Sequence, residues 1–193
     1  MKVEIIHTPT PDEWLRARNA QLASHAQTAT TAPGSRIRLK MIMSEHSPIR
    51  WLTVEWAWSE LPYWVSVHLT RHNLGITHVV SSQRPEVQKD YDRRKAPQDA
   101  PVTHNCVANF QSILNISQAR MCYTAAAETR QAWQMILDAL KEYEPELVSL
   151  CGPHCLVRGG ICPEVYSACR YNTSDQFYSR LDFYRGMFEE AKK

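Results

Sequence analysis

Residues 71–84 read Arg-His-Asn-Leu-Gly-Ile-Thr-His-Val-Val-Ser-Ser-Gln-Arg, with two arginines, two histidines, two serines and a glutamine in a short span. They follow an apolar, aromatic run, residues 61–69, that reads as a buried helix. Arg71 and His72 fall at the end of that helix, and Ser82 and Arg84 just beyond a loop. A guanidinium beside a hydroxyl suits a phosphate or another anion, because Arg offers a planar fork of donors. The competing reading is a solvated loop with a few ion pairs. Arg120 is a second candidate, because it interrupts a small, apolar helix face. A buried guanidinium needs an anionic or acceptor partner, either a ligand or an internal carboxylate such as Glu128 or Glu142. Arg130 fits such an internal pair well.

A third concentration is made of soft ligands. Cys151, His154, Cys155, Cys162 and Cys169 lie among turn-forming Gly and Pro. Thiolates and imidazole at that density suit a tetrahedral zinc site, with Cys151, Cys155, Cys162 and Cys169 as the thiolate ligands. Their spacing is not that of a standard zinc knuckle. An iron–sulfur cluster is another reading. So is a set of reduced cysteines packed as small apolar residues, or oxidised in a pair or two.

The composition bounds the partners. The chain has 193 residues, within reach of one domain (1–193) with a sizeable core. Apolar residues make up 44 %, as in ordinary globular proteins. Basic and acidic residues number 22 and 20, and this balance argues against a general nucleic-acid binder while allowing a local anion site. No run reaches transmembrane length and the N-terminus lacks a signal-peptide pattern, so the expected compartment is the cytoplasm, with no membrane partner. There the six cysteines are expected to be reduced or metal-bound.

The elements that must carry these groups follow in chain order. Residues 2–7 fit an opening strand, stopped by Thr8-Pro9-Thr10-Pro11. Thr10 or Asp12 can cap a helix over 11–25, with Trp14, Leu15, Arg18 and Leu22 at helical spacing. Residues 27–35 read as a loop and 37–43 as a short helix. Residues 52–58 alternate as a half-buried strand, with Leu52, Val54, Trp56 and Trp58 on one face. Ser59 and Glu60 then turn into the helix 61–69, and the tryptophans here read as core. Residues 85–102 are polar, with a charged run over Asp90, Asp92, Arg93, Arg94 and Lys95, and read as a loop or flap. Residues 107–123 and 124–143 read as one long or two successive helices, ended by Pro145. Residues 177–191 form a final helix.

Several of these stretches resemble the flavin-dependent thymidylate synthases. Arg71-His72 and Ser82-Gln83-Arg84 resemble that family's Arg-His-Arg, spacer, Ser-x-Arg signature, with Asn73 in place of its second Arg and a spacer one residue longer. Ser44-Glu45-His46-Ser47-Pro48 resembles a second segment and aligns His46 with its histidine. Arg120, Ala125, Glu128 and Arg130 keep the frame of a third, with Asn115 and Asn109 on two asparagines of the same helix. Gln111 stands where an Arg is often found. The opening strand, Thr-Pro-x-Pro turn and helix also match, so the resemblance spans roughly residues 1–140.

The resemblance implies an α+β fold, that of the thymidylate synthase-complementing proteins, with a mainly antiparallel sheet and long helices. It implies a homotetramer whose active sites draw on several subunits. It implies reductive methylation of dUMP to dTMP, with FAD as cofactor and methylenetetrahydrofolate and NADPH as co-substrates, and no attacking cysteine. On this reading His46, Arg71, His72, Asn109 and Asn115 hold cofactor, Ser82 and Arg84 bind the nucleotide phosphate, and Arg120 is catalytic and meets the pyrimidine. The family needs no metal, so zinc at residues 151–169 would be an added structural element. Two rivals stand beside it. One is a related flavin- and folate-dependent pyrimidine-nucleotide methyl- or hydroxymethyltransferase, which Asn73 and the longer spacer allow. The other is a non-catalytic nucleotide- or metal-binding module.

Overall fold

The computed structural model describes residues 1–84, 86–87, 91–92 and 94–192. Parts of the loop reading for residues 85–102, including Asp90 and Arg93 of the charged run, lie outside the described residues. Strands β1 (Lys2–His7), β2 (Thr53–Pro62), β3 (Ile76–Val80) and β4 (Pro101–Asn109) make an antiparallel sheet in the order β1-β2-β4-β3. Around it lie helices α1 (Pro11–Leu22), α2 (Ser35–Met43), α3 (Tyr63–Leu69), α4 (Phe110–Arg120), α5 (Ala127–Leu140), α6 (Pro145–Leu150), α7 (His154–Val157) and α8 (Asp175–Lys192). The architecture is the expected α+β one. None of the described helices is long and apolar enough to cross a membrane.

Local chemistry explains the first turn of the chain. Thr10 Oγ1 accepts from the Glu13 backbone N–H, and the Glu13 carboxylate accepts from the Thr10 backbone N–H, closing a capping box before Pro11. Donation to the carboxylate from the Thr10 backbone N–H, and next from its hydroxyl, holds the Glu13 carboxyl below its usual range. The alternation on β2 buries Val54, Trp56 and Trp58, as the pattern predicts. The strand then continues to Pro62 instead of turning at Ser59. Glu60 sits at φ +57°, and the register with β4 shifts between Trp58 and Leu61. That bulge inserts the residue needed to return Leu61 to the buried face.

Two strands replace what the sequence presents as loop and helix. β4 buries Val102, His104, Cys106 and Ala108 and turns Thr103, Asn105 and Val107 outward. Its alternation is regular, but His104 and Cys106 stand where a hydrophobic pattern expects apolar residues. The helix read from residue 107 therefore starts only at Phe110, where the Asn109 side chain accepts from Ser112 N–H as an N-cap. β3, within residues 71–84, pairs with β4 from Ile76–Ala108 to Val80–His104. Pro145 begins α6 as well as following α5.

The core joins the β2 face to α1, α4 and α5. Trp133 of α5 meets Trp56 edge-on, with ring centroids 6.1 Å apart, and Trp56 meets Trp58 at 5.6 Å. Three indoles donate across the core: Trp133 to Ser117 Oγ at 2.9 Å, Trp58 to the Ala132 carbonyl at 3.1 Å and Trp14 to the Glu144 carboxylate. α4 is buried on most sides, through Phe110, Ile113, Leu114 and Ile116, which fixes both its ends in space. A smaller cluster of Cys155, Leu156, Tyr171, Phe177 and Leu181 sits beside the main core.

One buried charge gives a testable pH dependence. Glu144 is 1 % exposed, accepts from Trp14 Nε1 at 3.1 Å, and lies 3.9 Å from Arg38 Nη1. That separation is too long to offset burial, which pushes the carboxyl up to about 7. The unfolded chain loses this proton near the ordinary carboxylate value, whereas the folded one keeps it, so the Glu144 contribution weakens as pH rises from about 4.5 to 7. Glu144→Gln should abolish that slope and leave the variant more stable than the parent above pH 7, by at most about 3 kcal/mol. Denaturant unfolding of both proteins across this range checks it. A constant stability difference across those pH values would mean that Glu144 is ionised throughout.

Candidate functional site

The expected site residues fall mainly at the two ends of α4. At its C-terminal end, half-buried Arg120 donates from Nε to His72 Nε2 at 2.7 Å and from Nη2 to the His68 carbonyl at 2.6 Å. α3 and the turn after it thus hold the guanidinium, 48 residues away in sequence from His72. Arg71 adds a second positive charge close by, and burial together with Arg71 lowers the Arg120 pKa. Neither Glu128 nor Glu142 pairs with Arg120 in any ion pair among the described residues. The internal-pair alternative for Arg120 therefore fails. Arg130 is held by carbonyls instead, those of Tyr123 and Ala125, with its guanidinium over the Tyr123 ring.

His72 must be neutral to accept from Arg120. Burial first, then the charges of Arg120 and His78, hold its pKa down at about 4. Behind it lies a relay that the sequence did not reveal. His78 Nε2 lies 2.7 Å from the His72 carbonyl, which can only accept, so that nitrogen carries the proton. His78 Nδ1 is then the acceptor for His104 Nε2 at 2.9 Å, with Cys106 Sγ at 3.2 Å. This leaves the buried His104 Nδ1 as an unprotonated nitrogen without a hydrogen-bond partner. Burial, and next His78, lower the His104 pKa to about 4. His78, His104 and Cys106 are the group of potential metal ligands with donor atoms within 4.8 Å of one another among the described residues. Their contacts close as ordinary hydrogen bonds, and burial pushes the Cys106 thiol up. The available signal was the outward-inward alternation His104-x-Cys106, masked by its polar residue types.

At the N-terminal end of α4, Asn109 and Asn115 line a shallow pocket of about 260 Å³ with Arg50, Leu74, Gly75, Gln111 and Ser112. Asn109 is committed to capping, while Asn115 is exposed and accepts from Gln111 Nε2 at 3.3 Å. Gly75 makes the approach of the β3 lead-in possible. It has φ +70°, its carbonyl accepts from Asn109 N–H, and an added Cβ would run into Ser112 Oγ and Asn109 Nδ2. Gln111 also donates to Glu45 Oε2 at 2.6 Å, and so draws in the loop bearing exposed His46. α4 has 11 residues, so about 16 Å separate its two ends.

Ser82 and Arg84 lie elsewhere. Ser82 Oγ accepts from Arg84 N–H at 3.2 Å in a local turn, and Arg84 is exposed. They follow the end of β3 that pairs with His104, whereas Asn109 lies at the far end of β4. A single chain thus brings together Arg71, His72 and Arg120, and separately Asn109 and Asn115, but not all the expected residues. In the cysteine segment, Cys151 is packed in the main core with its thiol donating to the Leu147 carbonyl, and burial pushes it up to about 12. Cys155 belongs to the smaller cluster, Cys162 is half-buried and Cys169 exposed.

No family model matches the sequence, and no curated protein matches it. Solved structures do. A flavin-dependent thymidylate synthase from Helicobacter pylori, complexed with FAD and dUMP, superposes with a TM-score of 0.62 at 14 % identity, covering 79 % of this chain and 100 % of that one. A second structure of the Helicobacter pylori enzyme with the same two molecules gives 0.59 at 14 %, over 78 % and 97 %. The UMP/dUMP methylase PolB from Streptomyces cacaoi, bound with 5-Br dUMP, gives 0.58 at 12 %, over 77 % and 93 %. The chain has the α+β fold of these proteins.

Proposed function

We propose that this chain is a flavin-dependent thymidylate synthase, methylating dUMP to dTMP with methylenetetrahydrofolate as carbon donor. The observation that carries the reading is the Arg71–His72–Arg120 locus: two guanidiniums with no carboxylate partner among the described residues, one of them half-buried. Such a locus favours a ligand that brings oxygen acceptors, and a pyrimidine nucleotide brings both carbonyls and a phosphate. The remaining N–H groups of Arg120 are the ones to polarise the uracil carbonyls, held in place by neutral His72. Ser82 and Arg84 take the phosphate.

The donors and acceptors around Gly75 and Asn109 fit a flavin: amide groups of Asn109 and Asn115, the Arg50 guanidinium, and a backbone bared by glycine. His46, on the loop drawn in by Gln111, would join that set, and Arg71 and His72, at the other end of α4, would complete it from a neighbouring copy. FAD, reduced by NADPH, supplies the reducing equivalents when bound. Cys106, behind the locus, is no nucleophile, because burial keeps its thiol protonated. The separation of the two ends of α4, and of Ser82 and Arg84 from both, supports active sites shared between copies. A homotetramer of one-domain chains, working in the cytoplasm, satisfies it. Asn73, exposed beside His72, supports a second reading, a related transferase acting on another pyrimidine nucleotide or leaving a hydroxymethyl group.

Purified protein should carry FAD or take it up non-covalently on reconstitution, and dUMP should then perturb the flavin spectrum. Retained FAD with indifference to dUMP would favour the second reading. Failure to bind flavin at all would end both.

A further inference from the structure

Three of the cysteines between residues 151 and 169 are brought to a fourth that lies outside that segment. Cys122 is in the turn directly after α4, two residues beyond Arg120. Its neighbour Tyr123 stacks on Tyr171 with ring centroids 4.7 Å apart and planes 30° apart. Tyr171 is buried in the same small cluster as Cys155, and Cys169 precedes it by two residues. Gly159 and Gly160, at φ +65° and +109°, reverse the chain after α7. Gly160 N–H donates to the Cys155 carbonyl at 2.8 Å, and the Gly160 carbonyl accepts from Asn172 Nδ2 at 3.0 Å. Cys162 follows this clamp by two residues. The chain therefore folds Cys122, Cys155, Cys162 and Cys169 around Tyr171.

The electrostatics agree. After burial, the influences that raise the Cys155 pKa include the sulfurs of Cys122, Cys162 and Cys169, whereas Cys151 is absent from them. Cys151 points the other way, into the main core.

We propose that Cys122, Cys155, Cys162 and Cys169 are the four ligands of one iron–sulfur cluster. Two observations favour a cluster over a single zinc ion. Zinc holds thiolates at about 2.3 Å, which puts tetrahedral sulfurs about 3.8 Å apart. No three of these sulfurs lie within 4.8 Å of one another, and inorganic sulfide and iron fill a wider ring. The ligands Cys155, Cys162 and Cys169 also recur at every seventh position, without the Cys-x2-Cys knuckle usual for zinc. The loop they hold has little core of its own: Ile161, Val165 and Tyr166 are exposed. A cluster would staple this loop to the turn that follows Arg120.

The test is anaerobic reconstitution of the full chain with ferrous iron and sulfide, followed by iron and acid-labile sulfide assays and Mössbauer spectroscopy, which flavin does not disturb. The parent and Cys151→Ala should bind iron and sulfide in matching amounts. Cys122→Ser, Cys162→Ser and Cys169→Ser, at positions that are half-buried or exposed, should keep their circular dichroism and lose most of both. Full iron in Cys122→Ser would overturn the ligand set. Stoichiometric zinc without iron, or no bound iron in the parent, would overturn the cluster. The outcome does not depend on FAD or dUMP binding, so it stands apart from the proposed activity.

Discussion

Arg120→Ala should weaken dUMP binding by about ten- to a hundredfold while flavin content stays near that of the parent. A charge-assisted hydrogen bond contributes about 1.5–3 kcal/mol, and about 1.4 kcal/mol is tenfold in affinity. The upper part of the range applies if a nucleotide carbonyl is left unpaired in a dry site. The variant also frees His72 Nε2 and the His68 carbonyl, its two present partners. With the cation gone, one of the charges that depress the His72 pKa goes too, so that pKa should rise from about 4. Histidine titration by NMR therefore reads the local effect, and dUMP titration through flavin fluorescence reads the functional one. Arg84→Ala should match the binding loss, since the phosphate contact is of the same kind, but leave the His72 titration alone. If Arg120→Ala binds dUMP as tightly as the parent, the nucleotide is not at this end of α4.

The second large effect is expected at Gly75. Gly75→Ala should destabilise the protein by about 2–5 kcal/mol, adding about 1–2 for a left-handed backbone and about 1–3 for overpacking. The clash falls on Asn109 and Ser112, whose hydrogen bonds cap α4 and tie it to the Leu74 carbonyl. FAD affinity should fall with stability, because the same side chains line the pocket. Gly34→Ala is the control: its φ is −71° and an added Cβ meets nothing within 4 Å. Denaturant unfolding and FAD titration of both variants decide it. Parent-like values at Gly75→Ala would show that this turn is plastic and that the pocket does not depend on it.

Much of the architecture is legible in the sequence, wherever a local rule suffices. The Thr10–Glu13 cap, the alternation of Val54, Trp56 and Trp58, and the stripe Ala132, Trp133, Ile136, Leu137 and Leu140 each follow from side chains within a turn or two of one another. The motifs that carry the resemblance were equally readable, and so was the α+β class. β4 was not, because a strand pattern is recognised by hydrophobicity and its buried face carries His104 and Cys106. These become tolerable only when β3 supplies His78 to accept from them. β3 in turn hid inside a stretch whose polar residues read as loop.

The sequence by itself determined which residue types are present, their periodicities and the helix caps, because those depend on neighbours along the chain. Only the tertiary structure decided which distant groups meet. Arg120 acquires His72 and the His68 carbonyl rather than Glu128 or Glu142, since burial of α4 against the sheet aims its last turn at α3. Tyr123 stacks on Tyr171 and so brings the turn after α4 to the small cluster that holds Cys155, whereas Cys151, though closer to Cys155 in sequence, is packed in the main core. Periodicity encodes which face of an element is buried. It carries no information about which face of another element will cover it.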